Sequence, residues 1–574
     1  MKFFHVYNDW HVKGLEKNNL INEDTGFKIQ HNYPMPRKIE FNEYAAKGTP
    51  LHSLIKENKI PFYIDRLTGG TTYLKYDFDF DLIREYENIL GKWFLGFQLH
   101  ESASNRYDAD WQRLVKKMEG KGPYDVEEIK KKFLSRNTTG DGDTLYGFTQ
   151  GTPEEYALLR YPETSEEFFE DIAKVYKFWM DKTLGNVLPC DSYYLMNKMY
   201  GDMNMKTIMP EVGWQIGQMR IAVAAARGAT ERVGKLWGTY YETWIAAPTE
   251  YDASMPCFND DPSNEWYETQ EMTNDNFTEH GPAGGSSRLL QKRIYYYSLM
   301  AGADYLAEEW GLNCSYNDMK TFELSEYGLI KKDFIDFARG MKNVKAEVPF
   351  AIVLPLEYLC VQVENPFRRH HLGVHRDKYM QAILGPEQKA FNGYVEDVIN
   401  LVYETYGGSF GNEGHTITNS RFGDLFDIIY EDAPAEVLAK YKGFVDASPD
   451  SRFAKKNPDK RVLVADDIER LEKEIREFSE EVLPVTVDKL HWVLSKEEDG
   501  RRFVSIFNNE GNYRARPVGD TIDHAADARV KVSFKEAANL KPIKLSSDDI
   551  KIERVDDTTY YVDMPACEFA IFEY

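Results

Sequence analysis

The sequence predicts an α/β protein: a (β/α)8 TIM barrel, then a flavodoxin-like α/β domain, then a C-terminal antiparallel β-sandwich. Three observations lead to this prediction. Over the first 345 residues, eight short apolar segments alternate with helical patterns, which is typical of a closed parallel sheet. From about residue 346, fewer and shorter apolar strands alternate with helices, as in a smaller open sheet. From about residue 486, apolar and polar residues alternate between tight turns, which indicates antiparallel strands.

The predicted barrel strands are short runs rich in β-branched and aromatic residues. In order they are FFHVYN (3–8), GFKIQHNY (26–33), IPFYIDRLTGG (60–70), WFLGFQLHES (93–102), VLPCDSY (187–193), TIMPEVG (207–213), LWGTYYETW (236–244) and ADYLAEEWG (303–311). The second run has the weakest strand pattern of the eight. Helical patterns separate the runs; one of them opens at Ser165, a residue type favoured as a helix cap.

Two further domains are predicted after the barrel, which occupies residues 1–345. The flavodoxin-like domain covers 346–485, with strands such as PFAIVLPLEY and RVLVADD and no glycine-rich nucleotide motif. The sandwich covers 486–574 and begins with a hairpin that turns at Asp499 and Gly500. Since 574 residues exceed the size of one ordinary domain, three domains fit the length.

Composition excludes several classes of partner. The net charge is −24, from 94 acidic and 70 basic residues, which disfavours nucleic acid and anionic membranes. There is no run of 18 apolar residues that could span a membrane, and the N-terminus lacks a secretory signal pattern, so we expect a cytoplasmic protein. Five scattered cysteines indicate reduced thiols, not a zinc site or a disulfide framework. Aromatic residues reach 14%, and mixed aromatic and polar surfaces suit carbohydrates.

Glutamates follow or end four of the predicted strands, and each has an aromatic residue or histidine nearby. They are Glu101, Glu211, Glu242 and the pair Glu308 and Glu309. Because the active site of a TIM barrel lies at the C-terminal ends of its strands, these carboxylates are expected to converge there. Two carboxylates on either side of a scissile bond are what glycoside hydrolysis requires. Strand alternation sends only one of the neighbours 308 and 309 inward, and we expect Glu308, which shares its face with Trp310.

The order of the domains resembles that of family 42 β-galactosidases and related clan A glycoside hydrolases. Locally, FLGFQLHE resembles the fourth-strand segment of that group, and LMAGADYLAEEW resembles its eighth strand. The resemblance implies an acid/base glutamate ending strand four and a nucleophile ending strand seven, which here are Glu101 and Glu242. It implies a retaining mechanism without metal or cofactor, and a homo-oligomer such as a dimer or trimer. His100 stands where the clan has asparagine.

The sequence is also similar to barrel proteins with PEVG and YYE.W segments, which imply no substrate. Three alternatives therefore stay open: a Glu211 and Glu242 pair, an inverting hydrolase that uses Glu211 or Glu308 as base, and a catalytically silent carbohydrate-binding or assembly protein. For an enzyme, the expected substrate is an oligo- or polysaccharide. The predicted substrate contacts are Asn8, Asp9, Trp10, Asp65, His100, Asp191, Trp214, Tyr240, Trp244, Glu279, His280, Glu308 and Trp310.

Overall fold

The computed structural model shows eight parallel strands that close into a barrel in chain order. It describes residues 1–7, 9–29, 45–65, 78–100, 165–191, 196–213, 219–233, 235–242, 287–309, 315–318, 320–358, 386–403, 422–464, 467–515 and 519–574, and positions 41, 158, 194 and 420. The barrel strands are β1 (Lys2–Val6), β2 (Thr25–Ile29), β3 (Phe62–Ile64), β4 (Phe94–His100), β5 (Val187–Asp191), β6 (Thr207–Gly213), β7 (Leu236–Glu242) and β8 (Tyr305–Glu308). The predicted barrel is thus confirmed, including its weakly patterned second strand.

Helices follow the strands around the barrel. They are α1 (Asp9–Lys17), α2 (Pro50–Asn58), α3 (Phe80–Leu90), α4 (Ser165–Lys182), α5 (Met196–Asp202), α6 (Met219–Val233), α7 (Arg288–Met300) and α8 (Glu326–Arg339). A 3-10 turn (Gly91–Trp93) precedes β4, and a small two-stranded sheet of β9 (Tyr316–Asp318) and β10 (Glu323–Leu324) precedes α8. The first strand is shorter than predicted, because the chain turns into α1 at Asp9 instead of continuing as strand.

The two faces of the barrel strands enter separate hydrophobic clusters, as strand alternation requires. Inward side chains such as Phe4, Tyr63, Leu188 and Tyr305 pack with one another inside the barrel. Outward side chains pack against the helices in a larger cluster. The barrel interior is therefore a filled core, and a site can form only where that core ends at a rim.

Gly96 allows a local irregularity in β4. Its φ is +95°, and a Cβ at this position would lie 2.3 Å from the carbonyl oxygen of Asn186. The pairing register between β3 and β4 shifts at this point. Beyond the shift, Gln98 and His100 continue the strand to the rim. A positive φ and a close backbone contact are conditions that glycine meets without strain.

The second unit contains a four-stranded parallel sheet of β12 (Phe350–Leu354), β13 (Phe426–Tyr430), β14 (Gly443–Asp446) and β15 (Val462–Val464). The strand order is β13-β12-β14-β15, which is the flavodoxin-like order, as predicted. Its helices are α9 (Pro386–Val402), α10 (Ala435–Leu438), α11 (Arg452–Lys456) and α12 (Ile468–Val482).

Two antiparallel sheets form the C-terminal part. One has the order β11-β17-β18-β25-β22 and the other β16-β21-β24-β23. The strands are β11 (Lys345–Ala346), β16 (Val485–Val487), β17 (His491–Lys496), β18 (Arg502–Phe507), β21 (Ala528–Phe534), β22 (Lys541–Leu545), β23 (Lys551–Arg554), β24 (Thr559–Met564) and β25 (Phe569–Glu573), with β19 (Asn512–Ala515) and β20 (Gly519–Ile522) as a separate ribbon and a 3-10 turn at His524–Ala526. The predicted hairpin is confirmed, since β17 pairs with β18 across Asp499 and Gly500. The predicted boundaries at 345/346 and 485/486 stay predictions.

Helix α6 joins the barrel to the second unit. Val223 and Ala226 belong to the cluster around the barrel, whereas Ile221 and Ala225 belong to the cluster of the second sheet and the sandwich. Arg227 on the same helix donates hydrogen bonds to the buried carboxylates of Asp424 and Asp427. A helix that is buried on two sides needs small apolar residues around its circumference, which explains its alanine-rich sequence. Among the described helices, none is long and apolar enough to span a membrane.

Candidate active site

Four ionisable side chains form one layer at the C-terminal end of the barrel. Lys28 comes from β2, His100 from β4 and Glu211 from β6, and Glu309 directly follows β8. Side chains from alternate strands fill each layer of a TIM-barrel interior, so even-numbered strands place these four at one level. All four are at least 95% buried. The apolar core of the barrel thus ends in a charged layer at the rim where barrel enzymes bind substrate.

His100 connects the two carboxylates of this layer. Its Nε2 lies 3.2 Å from Oε1 of Glu211 and 4.0 Å from Oε1 of Glu309. The backbone N–H of Glu309 donates to the carbonyl of Tyr241, so pairing with β7 continues past the end of β8 and fixes this residue. The imidazole can donate a hydrogen bond to Glu211 and, when protonated, balance the charge of both carboxylates.

Lys28, Asp65 and Tyr240 form a second group beside the histidine. The Lys28 ammonium lies 3.4 Å from Oδ2 of Asp65 and donates to the backbone carbonyl of Glu309 at 2.5 Å. The Tyr240 hydroxyl donates to Oδ1 of Asp65 at 3.2 Å. The Tyr240 ring also packs edge-on against His100, with 5.5 Å between the ring centroids. Tyr240 therefore couples the position of the histidine to that of the aspartate.

Tyr63 lies in the interior beneath this group. Burial, and to a lesser extent the charge of Asp65, raises the pKa of the Tyr63 phenol well above its ordinary value. Tyr63 is consequently a neutral hydroxyl at physiological pH.

The described layer is suited to proton transfer and to binding of electron-poor groups. Together with Asp65, it combines three carboxylates (Asp65, Glu211 and Glu309) with one ammonium and one imidazole in a region shielded from water. Low dielectric surroundings strengthen each of these interactions. His100, Glu211 and Glu309 also present one nitrogen and two oxygen atoms within 4.8 Å of one another, a donor set that could hold a divalent cation.

The expected inward orientation of Glu308 is wrong. Tyr305 and Ala307 point into the barrel, so alternation turns Glu308 outward and Glu309 inward. The Glu308 carboxylate accepts a hydrogen bond from Tyr295 on α7 and lies 2.6 Å from the ammonium of Lys331 on α8. Glu308 thus holds two barrel helices to β8 on the side away from the rim.

The structure brings three of the predicted residues together with the glutamates: Asp65, His100 and Tyr240. Asp191 is the buried last residue of β5, but it follows the inward Cys190 and therefore points outward. It lies near Tyr200 of α5, whose pKa is raised by burial first, with Tyr176 and Asp191 adding to the effect. Asp191 is therefore not part of the described cluster.

The remaining predicted residues are described in part or not at all. Backbone positions show that α1 begins at Asp9 and includes Trp10, that β7 ends at Glu242, and that Glu101 directly follows β4. The strand count behind the predicted catalytic pair is therefore confirmed, because β4 and β7 are the fourth and seventh barrel strands. Outside the described residues lie Asn8, Glu101, Trp214, Trp244, Glu279, His280 and Trp310.

Sequence reasoning missed Lys28 as a site residue, and it placed Glu308 and not Glu309 inside the barrel. Lys28 could have been recognised from the sequence, because it lies inside the apolar run GFKI. A lysine in such a buried strand is costly unless it has a charged partner. Strand alternation would have identified Glu309 if the inward face of β8 had been known. The sequence does not specify that face, so it could not choose between Glu308 and Glu309.

Comparisons with known proteins give distant similarities to solved structures. A scan against family models and a search of curated proteins found no match. Among solved structures, alpha-L-fucosidase isoenzyme 2 from Paenibacillus thiaminolyticus aligns with 99% of this chain and 96% of its own, at 10% identity and a TM-score of 0.45. A beta-galactosidase from the Antarctic haloarchaeon Halorubrum lacusprofundi aligns with 100% of this chain and 99% of its own, at 10% identity and a TM-score of 0.38.

The predicted distant likeness to barrel glycosidases is found in these alignments. The fold assignment itself rests on the closed strand order and not on them.

Proposed function

We propose that the protein is a glycoside hydrolase that cleaves O-glycosidic bonds of an oligo- or polysaccharide. One observation carries the proposal: Glu211 and Glu309 converge with His100 at the C-terminal rim of the barrel, where all three are buried. Burying two carboxylates close together is costly, so the arrangement favours a site in which carboxylates serve proton transfer or charge stabilisation. An oxocarbenium-like transition state is a positive charge of the kind that such a site stabilises.

Glu101 and Glu242 are the proposed acid/base and nucleophile. Their places after β4 and at the end of β7 are those that the clan A resemblance implies. Glu101 would protonate the leaving oxygen and later activate water, and Glu242 would form the glycosyl intermediate. In a retaining enzyme the two carboxyl groups lie about 5–5.5 Å apart. His100, adjacent to Glu101 in the chain, would hold the site geometry through its contacts with Glu211 and Tyr240.

An inverting hydrolase with Glu211 as base is the second candidate. The observation that favours it is the central position of Glu211 in the described layer. Glu308 is unsuited to be that base, because its carboxylate contacts Tyr295 and Lys331 between the strands and the helices. The predicted cytoplasmic location and homo-oligomer stay predictions.

Hydrolysis of aryl glycosides of both anomers tests the proposal. We expect Glu242→Ala to lower kcat/KM by roughly 10³-fold, or about 4 kcal/mol of transition-state stabilisation. Added azide should restore turnover in Glu242→Ala if this residue is the nucleophile, because a small anion can replace the missing carboxylate. NMR of the first-formed anomer separates the retaining from the inverting mechanism.

Matched variants decide between the candidates. Glu308→Gln serves as control, since it removes a carboxylate that lies outside the rim. Equal turnover by the wild type and Glu242→Ala would remove Glu242 from the chemistry, and inversion together with inactive Glu211→Ala would favour the second candidate. Glycan binding in calorimetry without cleavage of any substrate would instead indicate a silent carbohydrate-binding protein.

A further inference from the structure

A cavity of about 410 Å³ lies at the opposite end of the barrel from the candidate active site. Trp237 near the start of β7 and Asp304 just before β8 form its barrel wall. Tyr441 contributes from the second unit and Leu494 from the sandwich. The cavity is therefore an open cleft lined by all three parts of the molecule, and its volume is in the range of small-molecule binding sites.

The lining of this cavity is cationic although the protein is acidic. Seven lysine or arginine residues and three aspartate or glutamate residues line it. In the whole chain the ratio is reversed, with 70 basic and 94 acidic residues. The excess positive charge is thus concentrated where three units meet.

Four of the seven cations form ion pairs with carboxylates that the structure describes. Arg227 binds Asp424 and Asp427, and the Lys345 ammonium lies 2.6 Å from Asp304. Arg502 and Lys496 share a single carboxylate, that of Glu347, at 3.2 and 3.9 Å. These ion pairs hold the walls together, and their four cations are balanced by four carboxylates.

Lys235 and Lys442 lie outside these pairs and add positive charge to the lining. Within the described part of the chain, no carboxylate lies within ion-pair distance of Lys235 or Lys442. The Lys442 ammonium donates only to the backbone carbonyl of Val482, at 3.2 Å. An ammonium has three donors, so Lys235 and Lys442 retain the capacity to bind an external anion.

Between the lysines the wall is apolar, with Val348, Pro349, Leu483 and Pro484 facing the cavity. This surface offers packing for the uncharged part of a ligand, while the lysines bind its charged part.

We propose that this cavity binds a small organic phosphate, with the phosphoryl group between Lys235 and Lys442 and the organic part against the apolar wall. Lysines act on phosphate as point charges, so two lysines on the wall of one cavity can bind it without a planar fork. The net charge of −24 repels anions at long range. An anion can therefore bind only where a local group of cations, such as that in this cavity, overcomes the repulsion.

Titration calorimetry of the full chain with inorganic pyrophosphate at constant ionic strength tests this site. We expect saturable binding by the wild type and at least tenfold weaker binding by the double variant Lys235→Ala/Lys442→Ala. The matched control, Lys13→Ala/Lys489→Ala, removes two exposed lysines elsewhere and should bind like the wild type. Citrate provides a second anion and should bind at least tenfold more weakly than pyrophosphate.

Three results would overturn the proposal: no saturable binding by the wild type, equal binding by the double variant, or citrate binding as tight as that of pyrophosphate. If the double variant does not fold, Lys442→Glu at an exposed position replaces it, with the same tenfold weakening expected. Binding is measured without turnover, so the outcome is independent of the proposed hydrolase activity.

Discussion

At the residue scale, the neighbours Glu308 and Glu309 have different environments. Glu308 contacts Tyr295 and Lys331 in the layer between strand and helices, whereas Glu309 lies near His100 at the rim. Both are buried, so burial alone does not separate a structural carboxylate from one in the site. Strand parity decides which role each one has.

The two positions predict opposite outcomes for the same substitution. Glu308→Gln removes one charge of a buried ion pair with Lys331, and we expect a loss of about 3–5 kcal/mol in the free energy of unfolding. Glu309→Gln should lower kcat/KM for glycosides with a smaller change in thermal unfolding temperature. Unfolding scans and kinetics on both variants check this, with each serving as the control for the other. A stability loss at Glu309 and an activity loss at Glu308 would contradict the assignment.

At the scale of elements, strand β7 shows how tightly the barrel interior is packed. Gly238 lies opposite Tyr305 of β8, and a Cβ at Gly238 would lie 2.3 Å from that ring. The Tyr305 hydroxyl in turn contacts the Thr207 hydroxyl at 2.8 Å, which holds the ring across the barrel. The absence of a side chain at Gly238 thus makes room for the tyrosine that fills the interior.

We therefore expect Gly238→Ala to destabilise the protein by roughly 1–3 kcal/mol, since the methyl group would force the Tyr305 ring to move. Gly393 within α9 is the matched control, because nothing lies within 4 Å of the position of its Cβ. Gly393→Ala should be neutral or stabilise by about 0.5–1 kcal/mol through helix propensity. Midpoints of denaturant unfolding measure both, and equal shifts in the two variants would show that packing at Gly238 is not tight.

At the scale of the whole molecule, buried neutral histidines occur in both the barrel and the sandwich. Burial lowers the pKa of His11 to about 3, and it also lowers the pKa values of His5 and His491 well below the ordinary range. His491 packs edge-on against Tyr297 of α7 and Phe507 of β18 at the contact between barrel and sandwich. Protonation of any of these rings would place a buried charge near a cationic side chain, Lys331 for His5 and His11 and Arg220 for His491.

These pKa values predict the direction of the pH dependence of stability. Each histidine has a folded-state pKa below the unfolded value of about 6.5. Its contribution to the free energy of unfolding is therefore complete above about pH 6.5 and is lost as the pH falls below that value. Below that pH, the free energy of unfolding falls by about 1.4 kcal/mol per pH unit for each histidine. For the three together the decrease is about 4 kcal/mol per pH unit. The thermal unfolding temperature should consequently fall between pH 7.5 and pH 5.5.

Replacement of His491 by leucine removes one of these titrations. We expect His491→Leu to show a smaller decrease in unfolding temperature over the same pH interval than the wild type. The exposed His524 is the control, and His524→Leu should follow the wild type. An unchanged pH dependence in His491→Leu would show that this ring does not contribute.

The sequence alone determined the fold class, the eight barrel strands and the parallel order of the second sheet. Alternating apolar runs and helical patterns are local properties, and chain order dictates the closed barrel once those elements exist. His100, Glu211 and Tyr240 were identified by the same logic, since they lie near the C-terminal ends of recognisable strands.

Only the tertiary structure decided which face of each strand points inward. In the structure, Glu308 points outward, Glu309 points inward, and Lys28 lies at the rim. The cationic cavity also depends on tertiary structure, because its lysines come from segments about two hundred residues apart. The physical reason is that strand parity and the meeting of distant segments are set by packing across the whole barrel and its neighbours, which no local pattern encodes.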